Sequence, residues 1–214
     1  MSSFSLASVY SSFQMALDAP WKLRNEIGRL ASWPVAWFTL YSSGVNFSPG
    51  WKLYGLPIIQ RHRGSKVVFG KDAELRSQPR SNPLSPFHPV VLSTRTKTAE
   101  IRVGASVGMT GGALIAAEKI IIGDRVTIGA NATLIDTDFH PLLADERQKD
   151  STAGQSRPIE IGDDVFIGTQ VLILKGTKIG ARSVVGAGSV VSGEFPADVI
   201  IAGNPASIIR RLTK

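Results

Sequence analysis

The chain has 214 residues, 43% apolar and 19% charged, with 21 Gly, 12 Pro and no Cys. That composition is too apolar for a disordered chain, and the missing cysteine excludes a disulfide scaffold, a thiolate zinc site and a cysteine nucleophile together. The formal net charge is +7, and residues 51–102 account for all of it, with ten Lys/Arg against three acids.

The first twenty residues, MSSFSLASVYSSFQMALDAP, lack a basic start followed by an apolar run. They do not read as a secretory signal, and with no cysteine the expected location is the cytoplasm. Residues 31–41 (ASWPVAWFTLY) are apolar but contain Pro34 and are too short to cross a bilayer, which takes about 20 such residues. With Lys22, Arg24 and Arg29 ahead of them, residues 20–41 predict an amphipathic helix. It would lie on a membrane surface, on its own domain or on a neighbouring subunit. Residues 1–50 are therefore an N-terminal helical extension. Residues 51–102 are the basic segment, whose charge attracts phosphates, anionic glycans or an acidic membrane face. Nucleic acid is not expected, because the segment has no helix-turn-helix pattern and no run of stacking aromatics.

From residue 103 the chain repeats in sixes. Ile122, Ile128 and Leu134 share one phase, and after an interruption Ile161, Ile167, Ile173, Ile179, Val185 and Val191 share another. Earlier, Val103, Met109 and Ile115 keep the same step. Gly follows six of the nine later aliphatics, and a small or β-branched residue stands four places on in most repeats (Val126, Ala132, Val165, Val171, Thr177, Ser183, Ser189). A period of six of this kind predicts a parallel β-helix, one short strand and one turn per hexamer and three hexamers per triangular coil. Gly is favoured where a corner needs unusual φ/ψ or where backbones approach closely. The regular prism is expected over 103–200, with residues 140–160 as a loop ejected from one corner and 201–214 as a C-terminal tail.

These hexapeptides, the stretch Ile135-Asp136-Thr137-Asp138-Phe139-His140-Pro141-Leu142 and the tail Ile201-Ala202-Gly203-Asn204-Pro205-Ala206 resemble the hexapeptide-repeat acyltransferases. The resemblance is to the maltose/galactoside O-acetyltransferase-like branch often associated with polysaccharide gene clusters. It covers about residues 50–214 and is strongest after 100. It implies a left-handed β-helix, a homotrimer, and coenzyme A in the groove between neighbouring prisms. The sequence departs from the family at Gly193 and Ser207, where relatives often carry a basic residue. It also has no Asn in Gly108-Met109-Thr110-Gly111-Gly112.

Acyl transfer to a hydroxyl needs a base to take the proton, and histidine titrates near working pH. Of His62, His88 and His140, His140 directly follows a full coil and opens the ejected loop, the point at which the family pattern has its catalytic histidine. Asp138 would orient its ring. Asp136 would do the same or bind a sugar hydroxyl, and Asn82 and His88 would line an acceptor pocket. The resemblance places a pantetheine arm at Phe166, Gly168, Gly186, Ala187 and Ser192. It sets Arg210 at the coenzyme phosphates, with Lys178, Arg182 or Arg211 as further cations. No metal is expected, because a zinc site would need all three scattered histidines. The reading is an acetyl-coenzyme A-dependent O-acetyltransferase acting on a sugar hydroxyl of a glycan, a lipid-linked sugar or a nucleotide sugar. An N-acetyltransferase on an amino sugar nucleotide and a non-catalytic membrane-surface scaffold are the alternatives.

Overall fold

A computed structural model of the chain describes residues 18–45 and 48–212. Helix α1 (Pro20–Ser42) starts with Pro20 in its first turn, where a missing N–H is harmless, and runs on through Pro34. It is followed by a left-handed parallel β-helix of three sheets. The first stacks Lys52–Tyr54, Glu74–Arg76, Gly108–Thr110, Thr127–Ile128, Phe166–Ile167, Val184–Val185 and Val199–Gly203. The second stacks Ile58–Arg61, Val91–Thr94, Ala113–Ala116, Thr133–Ile135, Leu172–Ile173 and Val190–Val191. The third stacks Lys66–Phe69, Glu100–Val103, Lys119–Ile122, Ile159–Ile161, Lys178–Ile179 and Glu194–Phe195. The chain visits the three sheets in turn, so coiling begins at Lys52, and the basic segment forms the first two coils.

The phased aliphatics stack in register up the prism. Met109, Ile128, Ile167, Val185 and Ile201 lie over one another on the first sheet, and Leu134, Ile173 and Val191 on the second. All are essentially buried, so each coil closes on the next through aliphatic contact. One expected core position shifts. Leu114, not Ile115, pairs with Leu134 and is fully buried. Gly111 and Gly112 both take positive φ (54° and 75°), which tightens that corner by one residue, and a one-residue slip turns the neighbouring side chain inward.

The glycines after the aliphatics serve close approach rather than unusual φ. A Cβ on Gly129 would lie 2.6 Å from the carbonyl carbon of Gly168, and one on Gly168 would lie 2.6 Å from the Ala187 nitrogen. The positive φ falls two residues later, on Arg125, Asn131, Asp164, Gln170 and Arg182.

The prism is interrupted at two different edges. Residues 77–90 bulge out between the first and second sheets of the second coil. Residues 136–158 leave between the second and third sheets of the fourth, carrying the short helix α2 (Ala144–Lys149). At the far end Ala206–Arg211 folds back antiparallel onto Val199–Gly203.

Candidate active site

The loop of 136–158 is anchored at its root by Asp136. This residue is fully buried, and its carboxylate accepts the main-chain N–H groups of Ala117 (2.6 Å), Glu118 (2.9 Å) and Lys119 (2.6 Å) from the preceding coil. Burial pushes its carboxyl above the usual range, against the pull of those three donors. Enclosed in this way, Asp136 has no oxygen to offer a sugar hydroxyl or an imidazole, which corrects the expected substrate contact.

Above that root the two legs of the loop are zipped together. Arg157 N–H donates to Asp136 O (2.9 Å), Asp138 N–H donates to Gln155 O (2.9 Å), and Thr137 bridges Ser156. Gly154 lies under the Phe139–His140 peptide so closely that a Cβ there would meet the Phe139 carbonyl carbon at 2.4 Å. The chain then reverses. His140 N–H donates to Asp138 O (2.7 Å) around Phe139 at φ 60°, a tight turn whose central residue is neither Gly nor Asn. Such strain persists only where its surroundings hold it.

That turn presents the His140 ring to solvent. Its Nδ1 meets the main-chain carbonyl of Ser151 at 2.5 Å. A carbonyl only accepts, so Nδ1 carries the hydrogen, and in the neutral ring Nε2 is the nitrogen with the lone pair. Asp138 does not perform this orientation. Its carboxylate pairs with the Lys175 ammonium from the next coil, and both side chains are largely buried. Lys175, Ser151 and Gly154 escaped the sequence reading. The one signal for Lys175 was that Leu174, rather than Gly, follows Ile173.

The remaining expected site residues divide between edges. Ser192 is exposed at the edge that carries His140, two coils further on. Gly168, Gly186 and Ala187 lie at the edge between the first and second sheets, beside Phe166, which is exposed on the first sheet between Thr127 and Val184. Arg210 is exposed on the terminal hairpin opposite Ile200. Arg182 makes a two-point pair with Asp198 (2.7 Å each), and Lys178 sits 3.3 Å from Glu194.

Asn82 and His88 belong to the other bulge, so one protomer does not bring them to His140. The Asn82 side chain accepts from Leu84 N–H (2.9 Å) and donates to the Thr110 hydroxyl (3.3 Å). It borders a cleft of about 390 Å³ that α1 lines with Trp21 and Asn25. His88 Nδ1 meets Pro89 O (2.7 Å), and the bulge is pinned by Asn131, whose side-chain oxygen accepts Phe87 N–H (2.8 Å). Among the described residues no three His, Asp or Glu side chains gather in a metal-binding group.

Two family descriptions match the chain: "Bacterial transferase hexapeptide (six repeats)" over residues 158–193 and "Hexapeptide repeat of succinyl-transferase" over residues 119–135. A hexapeptide-repeat acetyltransferase of Vibrio cholerae, solved with acetyl coenzyme A, is 30% identical over 73% of this chain and 72% of its own, with a TM-score of 0.45. The chain's repeats are those of the hexapeptide transferase families. The galactoside O-acetyltransferase of Escherichia coli K12 is 42% identical over 93 residues, 44% of each chain. A Clostridium perfringens tetrahydropyridine-dicarboxylate N-acetyltransferase is 57% identical over 53 residues, 25% of this chain and 22% of its own. The chain thus spans less than half the length of the curated relatives it matches. The Bacillus cereus N-acyltransferase AntD shares the fold at 17% identity and a TM-score of 0.61, over 82% of this chain and 89% of its own. In this hexapeptide-repeat chain the two matched segments end and resume on either side of the loop that carries His140.

Proposed function

We propose that this chain transfers acetyl from acetyl-coenzyme A to a sugar hydroxyl, with His140 as general base. The observation that carries the reading is the Ser151 carbonyl on Nδ1 of an exposed imidazole, which makes Nε2 the proton acceptor of the neutral ring. In the proposed reaction His140 Nε2 takes the acceptor's proton as its oxygen adds to the thioester carbonyl. The C–S bond then breaks, and His140 returns the proton to the departing sulfur. No acyl-enzyme forms, and a main-chain N–H at the prism edge would stabilise the oxyanion.

The residues present suit the donor. Ala187 is exposed at this edge, Gly168 lies buried beneath it with no room for a Cβ (2.6 Å from the Ala187 nitrogen), and Phe166 offers an exposed ring beside them. This edge differs from the His140 edge, so the arrangement proposed is a homotrimer. In it the donor would lie between two prisms, with His140, Lys175 and Ser192 on one side and Phe166, Gly168, Gly186 and Ala187 on the other. Arg210 would reach the coenzyme phosphates. An anionic glycan, a lipid-linked sugar or a nucleotide sugar fits the basic first coils as acceptor.

Amine transfer is the second reading. It is favoured by the identity with the Clostridium N-acetyltransferase, which is high but covers 53 residues. The test is thiol release from acetyl-coenzyme A across parallel panels of sugar and amino-sugar acceptors, with His140→Ala as control. The expected result is hydroxyl-dependent turnover that His140→Ala lowers by about 10²–10⁴-fold while coenzyme binding is kept. Near-normal turnover in that variant overturns the mechanism, and turnover on amines alone moves the assignment to the second reading.

A further inference from the structure

Helix α1 is docked the wrong way round for a helix on a water-facing surface. Its inner face starts polar: Asn25 donates to Arg80 O (3.1 Å), and Glu26 accepts the Tyr54 hydroxyl. Only further along do Trp33, Ala36 and Leu40 reach the core. The outer face carries Leu23, Ile27, Leu30, Trp37, Phe38 and Tyr41, which are 43–66% exposed. At 100° per residue these six fall within one stripe about 100° wide. No charged residue occurs between Leu30 and Trp51. The stripe exposes on the order of several hundred Å² of apolar surface, at or above the largest patch an ordinary monomer shows.

We propose that this stripe lies on an anionic membrane surface, with the basic coils beside it facing the lipid headgroups. Charge complementarity selects this occupant. The helix packs on Lys52–Tyr54, so the stripe sits at the end of the prism where residues 51–102 hold the whole +7, with Arg63, Lys66, Lys71 and Lys97 exposed. A second copy meeting this face would bring a second +7 against the first, which repels. Residues 1–17 hold no acidic side chain to set against the basic coils. The stripe ends in the Trp37–Tyr41 pair, stacked at 5.3 Å, and such rings settle at the boundary between headgroups and acyl chains. Among the described residues no helix is long and apolar enough to cross a membrane. The geometry is therefore that of a helix lying in the interface plane. This inference uses neither His140 nor the coenzyme residues and shares only the basic coils with the acceptor reading, so vesicle binding and turnover test the two separately.

The test is sedimentation of the full chain with phosphatidylcholine vesicles, with and without about 30% phosphatidylglycerol. Phe38→Glu and Leu30→Glu serve as variants, because both side chains point away from the prism, and their thermal unfolding is measured alongside. Binding is expected to need the anionic lipid, to weaken with salt, and to fall about tenfold or more in each variant at unchanged unfolding temperature. Tryptophan emission should shift to the blue on the anionic vesicles. Failure of the chain to sediment with anionic vesicles overturns the proposal, as does binding that neither variant weakens. A change in solution mass in the variants, without vesicle binding by the parent, assigns the stripe to contact between copies and overturns it equally.

Discussion

Asp138 stands two residues before His140 and is held by Lys175, not by the imidazole. The ion pair ties the start of the loop to the coil that follows, while the ring takes its orientation from a main-chain carbonyl. The pair therefore positions the strained turn around Phe139 rather than tuning the base.

Asp138→Asn should accordingly lower kcat by about tenfold or less. That contrasts with the ~10⁴-fold loss expected where a carboxylate fixes a catalytic imidazole's tautomer. Steady-state kinetics of Asp138→Asn, Lys175→Met and the double variant check this. The two single variants should cost about the same, and the double variant little more, because each removes one shared contact.

Asp136→Asn should act on stability. Its carboxylate receives three N–H donors, and an amide turns an NH₂ toward at least one of them. A loss of about 3 kcal/mol is expected, read from denaturant unfolding. If unfolding is unchanged and only the acceptor KM rises, Asp136 is a substrate ligand after all.

Two glycines should separate activity from stability. Gly168→Ala sets a methyl 2.6 Å from the Ala187 nitrogen inside the stacked coils and should cost about 2 kcal/mol or more. Gly154→Ala sets one 2.4 Å from the Phe139 carbonyl carbon in a peripheral loop. It should displace His140 and cut turnover by at least about tenfold while the melting temperature barely moves. Thermal unfolding and thiol-release assays on both variants decide it.

Tyr54 reports on helix docking. Burial first, then its hydrogen bond to Glu26, pushes its hydroxyl up to about 12. A raised folded-state value favours the protonated form. Its contribution to stability is present in full below the ordinary value of 10 and is lost as pH rises through 12. In a phenolate-absorbance titration Tyr54 should ionise late, and Tyr54→Phe should remove that late step.

The sequence reading reached the stacked aliphatics because a period of six leaves one buried position per strand, and burial by neighbouring coils selects it without reference to distant residues. It put Ile115 in the core position that Leu114 occupies because two consecutive glycines shorten a corner, which a fixed count of six does not register. Asp136 was misjudged for a different reason. Its partners Ala117, Glu118 and Lys119 are main-chain donors seventeen to nineteen residues back, and main-chain donors carry no side-chain signature.

By itself the chain's order of residues determined the triangular prism, the presence of an ejected loop near residue 140, and the histidine carried there. These follow from periodicity, and periodicity is local. The loop's start at 136 rather than 140 was set by the structure. Tertiary structure alone decided which atoms surround that histidine, which carboxylates are spent on scaffolding, and that α1 turns its apolar stripe outward. Those outcomes depend on which coil lands beside which and on the face by which the helix docks, and both are settled only when segments remote in sequence meet.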